Sequence, residues 1–399
     1  MDNAYRFNRL ELAGSLGDLG TLLPMAIGMV LINGLNPLGM FLSIGLFYII
    51  SGAYFRVTTP VQPMKVIGAY AIATGMTASQ ISASGLLMAC ILLIIGVSGA
   101  MTFIGKYTPG AVIRGVQLST GTLLMAGGVK LMTGTSRFQE LSRLAEPYLG
   151  IQNLGPIPVG ILIGVAGGIL TLLLLDNRKL PGGLIIVSGG VALGLLLGRN
   201  TGIQDIGVGL YVPSLLPFGF PGRADFMFAF FALALPQIPM TLGNAVVANV
   251  DLSHEYFKEG AQRVTYKSTT ISMALANLGS FFLGGMPLCH GAGGLAAHYR
   301  FGARTAGSNL MIGTVFLVLA IFLGSGSLAV LKLLPMSVLG ILLVFSGGQL
   351  SLTIMDIKER RDMFVALLIL GITLASNLAY GFIAGVAVAY LLKWERLGI

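Results

Sequence analysis

The sequence predicts an all-α integral membrane protein with fourteen transmembrane segments in a seven-plus-seven inverted repeat. Three observations carry that expectation: an apolar composition, a chain that divides almost wholly into span-length stretches, and proline-led blocks that recur in the same order in both halves. Of 399 residues, 55% are hydrophobic and only 10% charged, and the mean hydropathy is +0.87. So few charged groups cannot coat a soluble globule of this size. A hydrocarbon core about 30 Å thick takes about 20 apolar residues per helix, and nearly the whole chain parses into such stretches, leaving no separate soluble domain.

The segments fall near 10–32, 37–56, 63–78, 82–105, 109–132, 156–176, 182–198, 225–250, 263–284, 288–300, 305–325, 328–350, 363–377 and 379–395. The opening residues carry no small-residue cleavage site after an apolar run, and Asp18 interrupts the run that follows, so the first segment is expected to be retained. With a cytoplasmic N-terminus, the inner loops and termini hold Arg6, Arg9, Arg56, Lys106, Arg114, Arg178, Lys179, Lys258, Arg263, Lys267, Arg300, Arg304, Lys358, Arg360, Arg361, Lys393 and Arg396, most of the 24 basic residues. That asymmetry predicts both termini in the cytoplasm, in an inner or plasma membrane, with 251–262 as a cytoplasmic loop. The net charge of +9 is then a property of loops, and no nucleic-acid partner is expected. Cys90 and Cys289 both fall in apolar surroundings and read as buried free thiols.

The repeat rests on paired prolines. "TPGAVIRG" at Pro109 answers "LPMSVLGI" at Pro335, an offset of 226, and "QPMKVIGAY" at Pro63 answers "MPLCHGAGG" at Pro287, an offset of 224. "LLPMAIG" at Pro24 answers "ALPQIPMTLG" at Pro236, an offset of 212, and the shortfall matches the charged insertion 251–262. A duplicated unit of seven spans must insert its second copy upside down, which divides the chain at 1–200 and 201–399.

Segments three and ten are short and start at prolines inside the apolar zone. Both read as half-helices beginning near the midplane, with free N–H groups and about +0.5 charge at each start facing a shared cavity. That arrangement suits an anion. Glycine also serves close helix packing, so "HGAGG" alone does not make a site. Lys65 adds the second signal, because a lysine two residues past a midmembrane proline costs about 3 kcal/mol unless it faces a polar cavity. A lone buried histidine such as His290 either satisfies a neighbour or touches substrate. Cys289 and His290 are adjacent and point about 100° apart, and His298 lies about 12 Å further along a helix. The three do not form a metal site, nor a nucleophile–base pair; neither metal nor cofactor nor enzymatic activity is expected.

"GSLGDLGTLLP", "PVQPMKVIGAYAIA", "LPQIPMTLGNAVVA" and "MPLCHGAGGLAAHYRFGARTAG" resemble the hallmark blocks of the molybdate transporter family, a branch of the sulfate permease (SulP) superfamily. The resemblance implies a core domain from segments 1–4 and 8–11 (about 10–105 and 225–325) and a gate domain from segments 5–7 and 12–14 (about 109–198 and 328–395). It implies alternating-access transport of molybdate, with proton-coupled uptake. Sulfate permeases usually add a STAS domain; this chain ends shortly after its last segment, as expected for the molybdate branch. By position, the site is made from the unwound middles of segments one and eight and the two half-helix starts: Thr21, Gln62, Met64, Lys65, Gln237, Thr241, Asn244, Cys289, His290 and Gly291. Asp18 is either a helix cap or a proton carrier, and Asp18 and His290 are the proton-coupling candidates. Tungstate and sulfate are tetrahedral dianions too, so either could replace molybdate; an anion channel of the same fold and a nucleobase carrier are the rival readings. The expected partners are the oxyanion and the lipid bilayer, with a homodimer as one open assembly state.

Overall fold

The computed structural model describes residues 4–99, 109–174, 182–199 and 207–393. Lys106, Arg178, Lys179 and Arg396, counted above for topology, lie outside these residues, as do the end of segment four and the boundary between residues 200 and 201. The described chain is predominantly helical. Among the described residues, four helices are long and apolar enough to cross a membrane: Pro37–Phe55, Ala78–Ser98, Arg223–Ala261 and Met336–Asp356. A fifth span is formed if Arg9–Ser15 and Leu19–Leu31, bent by 43°, are taken together. Apolar helices of 10–17 residues accompany them, among them Val159–Leu174, Gly182–Leu197 and Leu378–Leu391.

Long helices pack through glycine. Gly121 faces Gly347 and Gly128 faces Gly340 where Gly110–Thr133 crosses Met336–Ser351, so the two helices run antiparallel with backbones in direct contact. Pro109 and Pro335 are the N-caps of these two helices, where a missing N–H costs nothing. Pro335 offers no side-chain cap, and the need is met from 190 residues away: the fully buried Glu146 carboxylate accepts from Met336 N at 2.9 Å and Ser337 N at 2.8 Å. The connection that carries Glu146 is thereby tied to the helix start. Pro37–Phe55 packs on Gly307–Val318 with Gly45 against Gly313, and Ala78–Ser98 packs on Tyr266–Leu283 with Gly96 against Ile271.

The centre of the molecule departs from helix. Gln62–Pro63 and Leu288–Cys289 form a two-residue antiparallel pair, Gln62 opposite Cys289 and Pro63 opposite Leu288, extended by Met64 N donating to Pro287 O at 2.9 Å. From this crossing start two ten-residue helices, Lys65–Thr74 and Ala292–Phe301, each about 15 Å long. The prolines therefore sit in the strand pair and just before it, not in the first helical turn as expected, because a strand this short needs few N–H donors. Asn277 completes the pairing: its side chain accepts from Leu288 N and donates to Leu288 O, as a third strand would.

Three further expectations are corrected. Segment eight is not unwound; it continues as one helix that widens to π geometry at Phe230–Ala234 and Thr241–Ala248, on either side of Pro236 and Pro239. Each proline frees a carbonyl and crowds the preceding turn, and the wider turn absorbs both. The stretch 251–262 is not a loop: helix Asn249–Phe257 and a 3-10 turn, Lys258–Ala261, extend the same span. Tyr256 stacks on Tyr299 with ring centroids 3.9 Å apart, and this apolar contact holds the charged stretch against the end of Ala292–Phe301. Finally, Cys90 is exposed, whereas Cys289 is buried; both are free thiols.

Candidate functional site: a cationic cavity at the helix crossing

A cavity of about 660 Å³ opens beside the strand crossing. One wall is a single face of the Ala292 helix, Gly293, Ala296, Ala297 and Arg300, at the i, i+3, i+4, i+7 spacing that puts residues one above another. The facing wall is the matching stripe Leu342, Phe345, Ser346 and Gln349, continued by Thr353. Thr21, Gln62, Lys65 and Asn244 close one end. Its charged lining residues are Lys65, Arg114 and Arg300; no carboxylate lines it among the described residues.

The two helix starts are not equivalent. At the Lys65 helix, the first-turn N–H groups of Val66 and Ile67 donate to Gln237 Oε1 at 2.9 and 3.2 Å, and Gln237 Nε2 donates to Thr241 Oγ1 at 2.9 Å. A neutral carboxamide, 171 residues away in sequence, holds the place of a capping residue. At the Ala292 helix, N-cap Gly291 offers no side chain, and Gly293 lies on the cavity wall. A Cβ added at Gly293 would stand 3.7 Å from Lys65 Nζ, so the ammonium lies directly over that start. No ion pair or hydrogen bond holds the Lys65 ammonium among the described residues.

Two glycines here leave room for polar side chains. A Cβ at Gly291 would run into Gln62 Oε1, and one at Gly294 would come within 2.6 Å of Asp18 Oδ2. Here Gln62 Nε2 donates to Asp18 Oδ1 at 2.7 Å, while Asp18 Oδ2 and Gln62 Oε1 are buried without a hydrogen-bond partner. Asp18 makes no side-chain cap bond to the helix it precedes.

The predicted residues thus divide. Thr21, Gln62, Lys65 and Asn244 line the cavity; Met64, Gln237, Thr241, Cys289, His290 and Gly291 stand behind its wall. Met64 is the N-cap before Lys65. His290 has both ring nitrogens occupied, Nδ1 by Pro60 O at 2.8 Å and Nε2 by Ser272 Oγ at 3.0 Å. It packs on Phe47 with centroids 4.4 Å apart. Cys289 Sγ points to Pro63 O at 3.6 Å. Arg114, Gln117, Ser346, Gln349 and Thr353 reach the cavity unforeseen. Only the helical spacing of polar residues in an apolar stretch, Ser346, Gln349 and Thr353, signalled them in sequence.

A family profile described as the molybdate transporter of the MFS superfamily matches residues 10–124 and 229–350, more than half of the chain. Molybdate transporter 1 of Arabidopsis thaliana is 31% identical over 98% of this chain and 90% of its own length. Molybdate transporter 2 of the same plant is 32% identical over 97% and 88%, and molybdate transporter 1 of Chlamydomonas reinhardtii is 31% identical over 96% and 92%. Although the profile's description carries the MFS name, the fold matches SLC26A9, with a TM-score of 0.66 at 16% identity over 96% of this chain and 65% of that one. It also matches the transmembrane domain of the cyanobacterial bicarbonate transporter BicA, with a TM-score of 0.67 at 15% identity over 96% and 98%. With the relatives named as transporters, the protein is a multi-pass integral membrane transporter and not an enzyme, and it belongs to the molybdate transporter family.

Proposed function

We propose that this protein carries molybdate across the membrane by alternating access, with the oxyanion bound between Lys65 and the start of the Ala292 helix. The observation that carries the reading is a cavity whose charged lining residues are all basic, placed against a helix start with no side-chain cap. Lys65 and that start together supply roughly +1.5 charge, and the Thr21 hydroxyl with the Gln62 and Asn244 amides supplies further donors for a tetrahedral dianion. The relatives' names, all molybdate transporters, support molybdate as the anion. Titration of the purified protein with molybdate, tungstate, sulfate and phosphate tests this. Saturable binding, tightest for molybdate, is expected; tighter sulfate binding would reassign the substrate, and no oxyanion binding would end the reading.

The moving parts are a core built from segments 1–4 and 8–11 and a gate built from segments 5–7 and 12–14, within fourteen segments and two inverted repeats divided near residue 200. Support comes from the contacts. Gly121 and Gly347, 226 residues apart like Pro109 and Pro335, face each other across an antiparallel pair, as residues on a two-fold axis in the membrane plane must. The contact Pro63–Leu288 has its image, at an offset of 224, in Met64–Pro287. The ten-residue helices on either side are the half-helices of this scheme, and the cavity lies where core and gate meet. Both termini face the cytoplasm. Uptake is coupled to a proton carried by Asp18, whose buried Oδ2 has no hydrogen-bond partner and whose Oδ1 is bonded to cavity-lining Gln62. His290, with both nitrogens engaged, serves to brace the Pro60 backbone. Asp18→Asn should abolish pH-driven accumulation while sparing binding; full pH dependence in that variant would place the coupling elsewhere.

A further inference from the structure

The cavity contains a polar constellation distinct from the Lys65 end. Arg114 lines the cavity and forms, through Nη2, an ion pair with Asp356. Its Nη1 donates to Gln117 Oε1 at 2.8 Å. The same oxygen accepts from Thr353 Oγ1 at 2.9 Å, so the guanidinium is aimed by a side chain that is itself held in place. Gln117 is buried, and its Nε2 reaches Met240 Sδ at 2.9 Å, one helical turn from Gln237. The side chains that hold Arg114 thus reach, through Gln117, the helix that carries Gln237. The ion pair is the exposed end of this group: the side chains of Arg114 and Asp356 are 31% and 65% exposed.

Asp356 is not among the lining residues, whereas Arg114 is. The carboxylate therefore approaches the guanidinium from outside the cavity, on the helical turn that continues the Met336 helix. A pair this exposed is weak, worth little more than the entropy of holding it, and its carboxylate can be rehydrated at small cost. A guanidinium fork donates to two oxygens of a tetrahedral oxyanion as readily as to two of a carboxylate.

Resting on the proposed oxyanion reading, we propose that Arg114 is a second oxyanion-binding position of the cavity, at its exposed end, and that Asp356 is the displaceable counter-ion which holds the guanidinium from outside the cavity when the anion is absent. The anion reaching this end exchanges with Asp356 at Arg114, and Asp356 recaptures the guanidinium as the anion leaves. This keeps a strongly basic mouth from trapping a dianion.

The test is a calorimetric titration of the full-length purified protein with molybdate in a Lys65→Ala background, where the inner position is weakened. Asp356→Asn added to that background should tighten the remaining binding by about two- to five-fold, the range set by an exposed ion pair. Arg114→Gln should abolish it, and Asp356→Asn should change nothing once Arg114→Gln is present. Equal tightening by Asp356→Asn with and without Arg114 would mean general electrostatics and overturn the assignment. So would residual binding that survives Arg114→Gln, or an Asp356→Asn variant that only melts at a lower temperature, the result for a purely structural pair. Wild-type protein that binds no molybdate would instead sink the underlying substrate reading, so the two failures are separable.

Discussion

Replacing Gln237 by Glu tests how charge is arranged at the helix crossing. Gln237 Oε1 accepts from Val66 N and Ile67 N, and its Nε2 donates to Thr241 Oγ1. A glutamate has the same shape and keeps both interactions, because the Thr241 hydroxyl can reverse and donate. Bonds to a carboxylate are about twice as strong as neutral ones, and an anion at a helix start stabilises it by up to about 2 kcal/mol. The variant should therefore fold and melt no lower than wild type. Binding should suffer: taking a separation of about 8 Å from a dianion in the proposed place and an effective dielectric of about 20, the added negative charge costs about 4 kcal/mol before screening. At least about a 100-fold loss of molybdate affinity is expected in calorimetry, largest at low salt. Gln237→Ala should do the opposite to stability, leaving two buried N–H groups bare at about 1–3 kcal/mol each. Molybdate should then raise its melting temperature more than it raises that of wild type. Wild-type affinity in Gln237→Glu would refute the placement of the anion beside the Lys65 helix.

Lys65→Ala should weaken molybdate binding by about 2 kcal/mol or more, as when one partner of a buried charge pair is lost, while exposed Arg361→Ala serves as the unchanged control in the same titration. Glu146→Ala removes the acceptor for Met336 N and Ser337 N and should lower stability by about 2–5 kcal/mol, read as a drop in melting temperature; Glu146→Gln, which keeps one acceptor oxygen, should lose less. For orientation, Glu259→Cys in a cysteine-free background places a thiol on an exposed residue of the 3-10 turn. It should be labelled only after the membrane is opened; labelling in intact cells would reverse the proposed topology.

Membrane class, a predominantly helical fold and the family were legible in the sequence, because hydropathy and hallmark blocks are local properties of the chain. Proline offsets likewise located Pro109 and Pro335 at helix starts and Lys65 and the 291–294 glycines at one place, since a helix start has a one-dimensional signature. Pairings between distant residues were not legible. That Gln237 would cap the Lys65 helix from 171 residues away, or Glu146 the Met336 helix from 190, depends on three-dimensional packing that brings an acceptor to an unfilled N–H, and no spacing rule encodes it. His290 illustrates the converse: a residue type rich in chemistry proves to be held on both nitrogens by Pro60 and Ser272. The continuation of helix through 251–262 was hidden because its charges read as loop, while its apolar side packs: Val250, Phe257 and Ala261 join Phe55 and Val57, and Tyr256 stacks on Tyr299. The cavity itself, with Arg114, Gln117 and Thr353 on its wall, exists only between helices. Sequence determines which faces are polar; tertiary packing decides which of those faces meet.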